Sequence, residues 1–120
     1  MSTALITGAA RGIGLATARA FRAAGWRVLG LDKDFSGCGE RGFERLDFDL
    51  RNLGGIAVLV QNEEIHTLVN NAGVLFCDPY DAIPEAHKRE VLTVNIEAPN
   101  ALITALAPQM KARKSGRIAS

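Results

Sequence analysis

The chain has 120 residues, enough for one domain (residues 1–120) with a core of its own. Apolar residues make up 48% of it and charged residues 22%, which is typical of a globular protein and excludes a disordered one. The formal net charge of +1 is too small to attract nucleic acid or an anionic membrane. No apolar run reaches the roughly 18 residues of a membrane span, so neither nucleic acid nor a membrane is expected as a partner.

The compartment is predicted from the N-terminus and the cysteines. The N-terminus has no charged region followed by a long apolar stretch, so we see no secretory signal and expect a cytoplasmic protein. Cys38 and Cys77 do not have the spacing of metal ligands, and no metal site is predicted. One disulfide between them is formally possible, but two free thiols are favoured because the cytosol is reducing.

Short apolar segments alternate along the chain with segments whose apolar residues have helical spacing. The predicted strands are 3–7, 27–31, 43–46, 65–69 and 117–120, and the predicted helices are 13–24, 52–62 and 84–114. Gly25 and Gly116 are expected to end the first and last helices, and Pro99 and Pro108 are expected to interrupt the last one. The alternation predicts an α/β fold in which helices cover both faces of a parallel sheet.

Residues 5–14 form the most informative segment, Leu-Ile-Thr-Gly-Ala-Ala-Arg-Gly-Ile-Gly, which joins the first strand to the first helix. Gly8, Gly12 and Gly14 let the backbone pass close to a bulky anion, and the helix supplies unpaired N–H groups and the positive end of its dipole. This combination favours a pyrophosphate. The spacing is G-x-x-x-G-x-G, not the commoner G-x-G-x-x-G, and no Gly-Lys-Ser/Thr of the nucleotide triphosphatases follows. The alternative is a strand-to-helix turn without a ligand.

Asp32 closes the second predicted strand, 18 residues beyond Gly14. An acid about 20 residues after such a turn accepts hydrogen bonds from an adenosine ribose and repels a 2′-phosphate. Asp32 therefore favours NAD over NADP as the cofactor. Arg11 and Lys33 favour NADP, since either could approach a 2′-phosphate, so NADP stays an alternative. Asp32 could also be an ordinary acid at the end of a strand.

Four short motifs follow one another along the chain. Residues 7–14 resemble the TGxxxGIG signature of the short-chain dehydrogenase/reductase family, and residues 70–73, Asn-Asn-Ala-Gly, resemble its NNAG motif after the fourth strand. Asp49 and Leu50 resemble the acid and apolar residue that receive the adenine ring. Residues 116–118 resemble the lead-in to the fifth strand. The motifs have the family's order and spacing over essentially the whole chain.

The resemblance implies a Rossmann-type fold, a doubly wound parallel sheet with strand order 3-2-1-4-5, here truncated before the last two strands. It implies an oxidoreductase that transfers hydride between a nicotinamide and an alcohol or carbonyl substrate, and a homo-oligomer. The glycine turn would line the pyrophosphate, Asp49 would accept from the adenine amino group, and residues 71–73 would pass under the adenosine ribose. The alternative for Asn71 is a structural turn. The implied cofactor-binding residues are Gly8, Arg11, Gly12, Ile13, Gly14, Asp32, Asp49, Leu50, Asn71, Ala72 and Gly73.

Asn95 resembles the asparagine of that family's Asn-Ser-Tyr-Lys tetrad, and it is the one catalytic residue predicted. The family's asparagine holds a water in the proton relay beside the catalytic lysine. Four residues further on, Pro99 has no N–H, so the Asn95 carbonyl loses its helical partner. We expect this carbonyl to be free to hold such a water. The alternative is a proline kink that reflects packing alone.

The other three members of the tetrad have no match in residues 1–120. The only tyrosine is Tyr80, and the position four residues on is Pro84 instead of lysine. Ser120 stands slightly before the expected serine and is not assigned its role. We therefore expect the chain to be a cofactor-binding half that is inactive by itself, because it lacks a general acid. The alternative is a non-catalytic dinucleotide-binding or assembly module.

Overall fold

The computed structural model of the chain describes residues 1–120. Its five strands are β1 Thr3–Thr7, β2 Arg27–Asp32, β3 Glu44–Asp47, β4 Thr67–Val69 and β5 Arg117–Ala119. The helices are α1 Gly12–Ala23, α2 Ile56–Val60, α3 Glu85–Leu92 and α4 Ala98–Arg113. A 3₁₀ turn, Leu53–Gly55, precedes α2, and a π-helical turn, Thr93–Glu97, joins α3 to α4. None of these helices combines the length and the apolar composition that a membrane span requires.

All neighbouring strands are parallel and lie in the order β3-β2-β1-β4-β5, so the predicted α/β fold and strand order are confirmed. The central strand, β1, has a neighbour on each side, and every one of its residues is buried. Ala4 lies opposite Val28 of β2 and opposite Thr67 of β4. Strands β2 and β3 lie on one side of β1, and β4 and β5 lie on its other side, so the strand order reverses between β1 and β4. At such a reversal, the carboxyl ends of parallel strands leave a crevice for a ligand.

Helices on the two faces of the sheet enclose two apolar clusters. On one face, Leu102 and Leu106 of α4 are fully buried in a cluster that also contains Leu5 and Leu68 of the sheet. On the other face, α1 contributes the buried Ala18 to a smaller cluster. A small residue at this contact lets the helix lie close to the sheet. The first turn of α1 is therefore held close to the end of β1.

The boundaries of the predicted elements differ from those in the structure by at most two residues, except that α2 begins at Ile56, four residues after the predicted start, because the 3₁₀ turn Leu53–Gly55 precedes it. Gly25 lies one residue beyond the cap of α1, which is Ala24, and it has a φ of +88°. The last helix ends at Arg113, and its C-cap is Lys114, not Gly116, because Lys114 adopts the left-handed conformation with a φ of 56°. Its backbone N–H still bonds the carbonyl of Lys111, so the helix is capped without glycine.

The predicted interruptions of the last helix at Pro99 and Pro108 are wrong in detail. The irregularity lies one turn before Pro99, as the π-helical turn Thr93–Glu97. Such a turn is a common way for a helix to accommodate a missing i→i−4 hydrogen bond. Helix α4 continues through Pro108 without a break. The burial of Leu106 and Met110 on either side of Pro108 outweighs the one hydrogen bond that proline removes.

Candidate functional site

A cavity of about 310 Å³ opens at the carboxyl ends of β1, β2, β3 and β4, where the strand order reverses. Residues that follow each of these strands line it, and α3 and the π-helical turn close it from the side. Eight of the implied cofactor-binding residues lie in its wall: Gly8, Arg11, Asp32, Asp49, Leu50, Asn71, Ala72 and Gly73. Gly12, Ile13, Gly14 and Asn95 lie outside this wall. The fold thus brings together residues from four separate segments of the sequence.

The glycine turn has the backbone conformation that a close approach to an anion requires. Gly8 and Gly12 have φ angles of +67° and +58°, in the left-handed region that favours glycine. Gly14 admits no side chain, because a Cβ there would lie 1.9 Å from the carbonyl oxygen of Gly8. A Cβ at Gly12 would meet no atom within 4 Å apart from those of its chain neighbours and its own helix. The turn is therefore tightly packed on its inner side, at Gly14, and open on its outer side, at Gly12.

Helix α1 begins at Gly12, directly after this turn. It has no side-chain cap and no acidic residue in its first turn. The N–H groups of a first turn have no partner inside the helix, and they carry the positive end of the helix dipole. No side chain of the protein caps this end, so its donors are available to an anion. Ile13 lies in this first turn and is exposed.

Thr7 and Asn71 join the end of β1 to the segment after β4. The Thr7 hydroxyl oxygen accepts the backbone N–H groups of Asn71 at 3.0 Å and of Ala72 at 2.9 Å. The Asn71 side-chain amide donates to the carbonyl oxygens of Thr7 at 3.2 Å and of Gly8 at 3.3 Å. These contacts hold residues 71–73 against the glycine turn. Sequence reasoning gave Thr7 no role of its own, although a buried threonine at the last position of a strand was the available signal.

Asp32 points from the end of β2 toward the glycine turn. Its Oδ2 accepts the backbone N–H of Ala10 at 3.1 Å, and its Oδ1 accepts that of Asp34 at 3.3 Å. The Arg11 guanidinium donates to the carbonyl oxygens of Asp34 at 3.0 Å and Ser36 at 3.4 Å. The carboxylate is thus fixed by backbone donors, and Arg11 is engaged by the loop that follows β2.

Asp49, which follows β3, is bound by Arg51. The Arg51 Nε lies 3.1 Å from Oδ1 and 3.0 Å from Oδ2, and Nη2 lies 2.6 Å from Oδ2. Arg51 Nη1 also reaches Oε1 of Glu90 on α3 at 3.1 Å. Hydrogen bonding from the Arg51 side chain holds the pKa of Asp49 below its usual value, although partial burial opposes this shift. Asp49 is therefore ionised at neutral pH. Sequence reasoning missed Arg51 and Glu90, since no local pattern pairs residues 39 positions apart.

Apolar residues complete the cavity beside Asp49. Leu50 is buried, and Phe48 and Val94 also line this wall. Sequence reasoning did not single out Phe48 or Val94, whose apolar character alone does not distinguish them from core residues. An apolar surface beside a fixed acceptor suits a heterocyclic base, which has apolar faces and a polar edge.

Asn95 lies in the π-helical turn and is held by the backbone of Val74. Its Oδ1 accepts the Val74 N–H at 2.8 Å, and its Nδ2 donates to the Val74 carbonyl oxygen at 2.9 Å. It lines a second, largely apolar groove of about 470 Å³, which adjoins the first cavity at Val74. The helix around Asn95 is not a regular α-helix, and Pro99 has no N–H to give to the Asn95 carbonyl.

A profile of the family described as short chain dehydrogenase matches residues 2–120. The chain belongs to the short-chain dehydrogenase family. One curated relative is the galactitol 2-dehydrogenase of Agrobacterium fabrum, which is 34% identical to this short-chain dehydrogenase chain over 124 residues. The match covers 94% of this chain and 48% of the relative. The chain thus spans about half the length of the curated relatives it matches.

Solved structures of other short-chain dehydrogenases have the same architecture. A metagenomic short-chain oxidoreductase in complex with NADP is 34% identical and superimposes with a TM-score of 0.84 over 98% of this chain and 60% of its own. A 3-oxoacyl (acyl-carrier-protein) reductase from Agrobacterium tumefaciens with NADP bound is 27% identical, with a TM-score of 0.87 over 98% of this chain and 50% of its own. The Rossmann-type fold that the resemblance implied is confirmed.

Proposed function

We propose that residues 1–120 bind a nicotinamide dinucleotide and form the cofactor-binding half of an oxidoreductase that acts on an alcohol or carbonyl substrate. The observation that carries this proposal is the glycine turn, which is open on its outer side and followed by the uncapped first turn of α1. The two structural neighbours that hold NADP support the class of cofactor. When bound, the nicotinamide accepts or donates the hydride.

The backbone of the chain would hold the pyrophosphate. The first-turn N–H groups of α1, from Gly12 to Gly14, would donate to the phosphate oxygens. Gly8 keeps the opposite side of the turn free of a side chain, and residues 71–73 are fixed beside it by Thr7. The fit therefore depends on backbone shape and on two side chains that hold it, not on a cationic side chain.

Asp32 supports NAD as the preferred cofactor. Its carboxylate lies in the cavity wall and is fixed by the N–H groups of Ala10 and Asp34. A fixed carboxylate accepts from the two ribose hydroxyls and repels a 2′-phosphate. Arg11, which would favour NADP, already donates to two loop carbonyls.

Asp49 and Asn95 would serve the two ends of the cofactor. Asp49 provides an ionised acceptor for the adenine amino group, and Leu50 lies beside it. Asn95 would act through its backbone carbonyl, which would hold a water for a proton relay. Its side chain is held by one accepted and one donated hydrogen bond with the Val74 backbone, which favours a role for the backbone carbonyl.

NAD added to the full chain is expected to shift the backbone amide resonances of residues 12–14, 32 and 71–73 saturably. NADP should bind about tenfold more weakly, because a 2′-phosphate close to Asp32 costs roughly 1.4 kcal/mol. Two-dimensional NMR titrations with both dinucleotides measure this difference, and an Asp32→Ser variant should reduce it. Unshifted amides at residues 12–14 in saturating NAD would contradict the proposed function, whereas tighter NADP binding would contradict the NAD preference alone.

Residues 1–120 alone are expected to oxidise no reduced cofactor above background with any carbonyl substrate. Hydride transfer without a positioned general acid lacks a factor of about 10²–10⁴, and Tyr80, the only tyrosine, is followed four positions later by Pro84. Absorbance of NADH with a panel of aldehydes and ketones measures the rate. Protein-dependent loss of NADH absorbance that disappears on heat denaturation would refute this expectation.

We also propose a homo-oligomer in the cytoplasm. Leu92 of α3 and Ile96 of the π-helical turn are both more than half exposed. Such apolar residues on one long helical segment are suited to pairing with the same segment of a second copy.

A further inference from the structure

Arg51 binds Asp49 more completely than a surface ion pair requires. Nε contacts both carboxylate oxygens, Nη2 contacts Oδ2, and the backbone N–H of residue 51 contacts Oδ1, all at 2.6 to 3.1 Å. A carboxylate has about four lone-pair sites in total. Arg51 alone therefore fills the acceptor sites of Asp49.

The proposed adenine contact needs one of these acceptor sites. An adenine amino group can use Asp49 only if it displaces at least one Arg51 contact. Glu90 gives the guanidinium a second anchor, since its Oε1 lies 3.1 Å from Nη1 and its side chain is 20% exposed. Arg51 can therefore release Asp49 and still remain beside the cavity.

We propose that Arg51 is a displaceable cover on Asp49 that makes the base site tolerant of purines other than adenine. This inference rests on the proposed function. With Arg51 present, the wall of the cavity offers guanidinium N–H donors as well as a carboxylate acceptor. A purine with a carbonyl in place of the amino group then finds a partner too. Without Arg51, the bare carboxylate accepts an amino group and repels a carbonyl.

NAD and its hypoxanthine analogue, nicotinamide hypoxanthine dinucleotide, are the probes for this idea. They carry the same charge, so the ratio of their dissociation constants cancels any attraction of Arg51 for the pyrophosphate. In the unsubstituted full chain, we expect similar dissociation constants from NMR titration. In an Arg51→Met variant, the ratio of the two dissociation constants should shift by about tenfold in favour of NAD. A tenfold shift corresponds to the free energy of about one hydrogen bond to a charged acceptor.

Two further variants serve as controls. Lys33→Met removes a cation that lines the same cavity but does not bond Asp49, and it should leave the ratio unchanged. Arg51→Lys keeps the charge but loses the planar fork, so it should give an intermediate ratio. Arg51 is 54% exposed, and we expect its variants to fold as the unsubstituted chain does.

The outcomes separate the inference from the function on which it rests. If the Arg51→Met variant binds NAD and its ratio of the two dissociation constants equals that of the unsubstituted chain, the inference is overturned and the proposed function stays intact. An unsubstituted chain that binds neither dinucleotide overturns both. A second measurement follows the Arg51 Nε–H resonance: NAD should move it, and an unmoved resonance in the NAD-saturated chain also overturns the inference.

Discussion

Gly14→Ala is expected to abolish NAD binding and to lower the free energy of unfolding by about 3 kcal/mol. The added methyl group would lie 1.9 Å from the Gly8 carbonyl oxygen and 2.6 Å from the Asn71 side-chain nitrogen. Neither neighbour can give way cheaply, because the first is backbone and the second is bonded to it. Relief requires α1 to move away from β1, which distorts the glycine turn. Urea unfolding and an NMR titration with NAD measure the two effects.

Gly54→Ala is the matched control for this variant. A Cβ at Gly54 would meet no atom within 4 Å apart from those of its chain neighbours and its own helical turn, and Gly54 has no positive φ. This substitution should change the free energy of unfolding by less than about 1 kcal/mol and should leave NAD binding unchanged. If Gly14→Ala behaves like Gly54→Ala in both measurements, the turn is looser than the geometry indicates.

Thr7→Val is expected to cost about 2–4 kcal/mol of unfolding free energy, since it leaves two N–H groups without their acceptor. Thr7 is 1% exposed, so water does not replace the lost hydroxyl in the folded chain. Valine has nearly the same shape, and the packing of β1 is retained. The effect therefore reports the hydrogen bonds to Asn71 and Ala72 and not a cavity. Thermal and urea unfolding give its size.

Thr67→Val separates the hydrogen bonds from the general cost of altering a buried threonine. Thr67 lies in the neighbouring strand β4 and is also buried, but its hydroxyl makes no hydrogen bond to the protein. We expect it to change stability by less than about 0.5 kcal/mol. If Thr7→Val and Thr67→Val lower the free energy of unfolding equally, the Thr7 hydroxyl does not hold residues 71–73.

Local patterns were sufficient for the sheet and for the glycine turn. The turn needs glycine at positions where the backbone has a positive φ or where a Cβ would collide, and such positions are visible in a sequence. Asp32 was singled out for a similar reason. In this fold, an acid that ends the second strand at a set distance from the glycine turn lies where the adenosine ribose binds. The predicted NAD preference depends on that one residue and awaits the titration.

Contacts between distant segments could not be predicted in the same way. The bonds of Asn95 to Val74 join residues 21 positions apart, and the Arg51–Glu90 pair joins residues 39 apart. Neither pair has a periodicity or spacing that marks it. Pro108 was expected from its local effect to interrupt the last helix. The helix continues through it because the buried residues on either side hold the helix against the sheet. Tertiary packing overrides propensity at that position.

The π-helical turn absorbs one extra residue without changing the face that the following helix presents to the sheet. A π turn holds one more residue than an α turn, so loss of one residue between 93 and 97 would leave a regular α turn and keep the buried stripe of α4 against the sheet. Loss of one residue within α4 would instead rotate all the residues beyond it by about 100° around the helix axis. A one-residue deletion is therefore expected to preserve the orientation of α4 when it falls in the π turn and to disrupt it when it falls in α4.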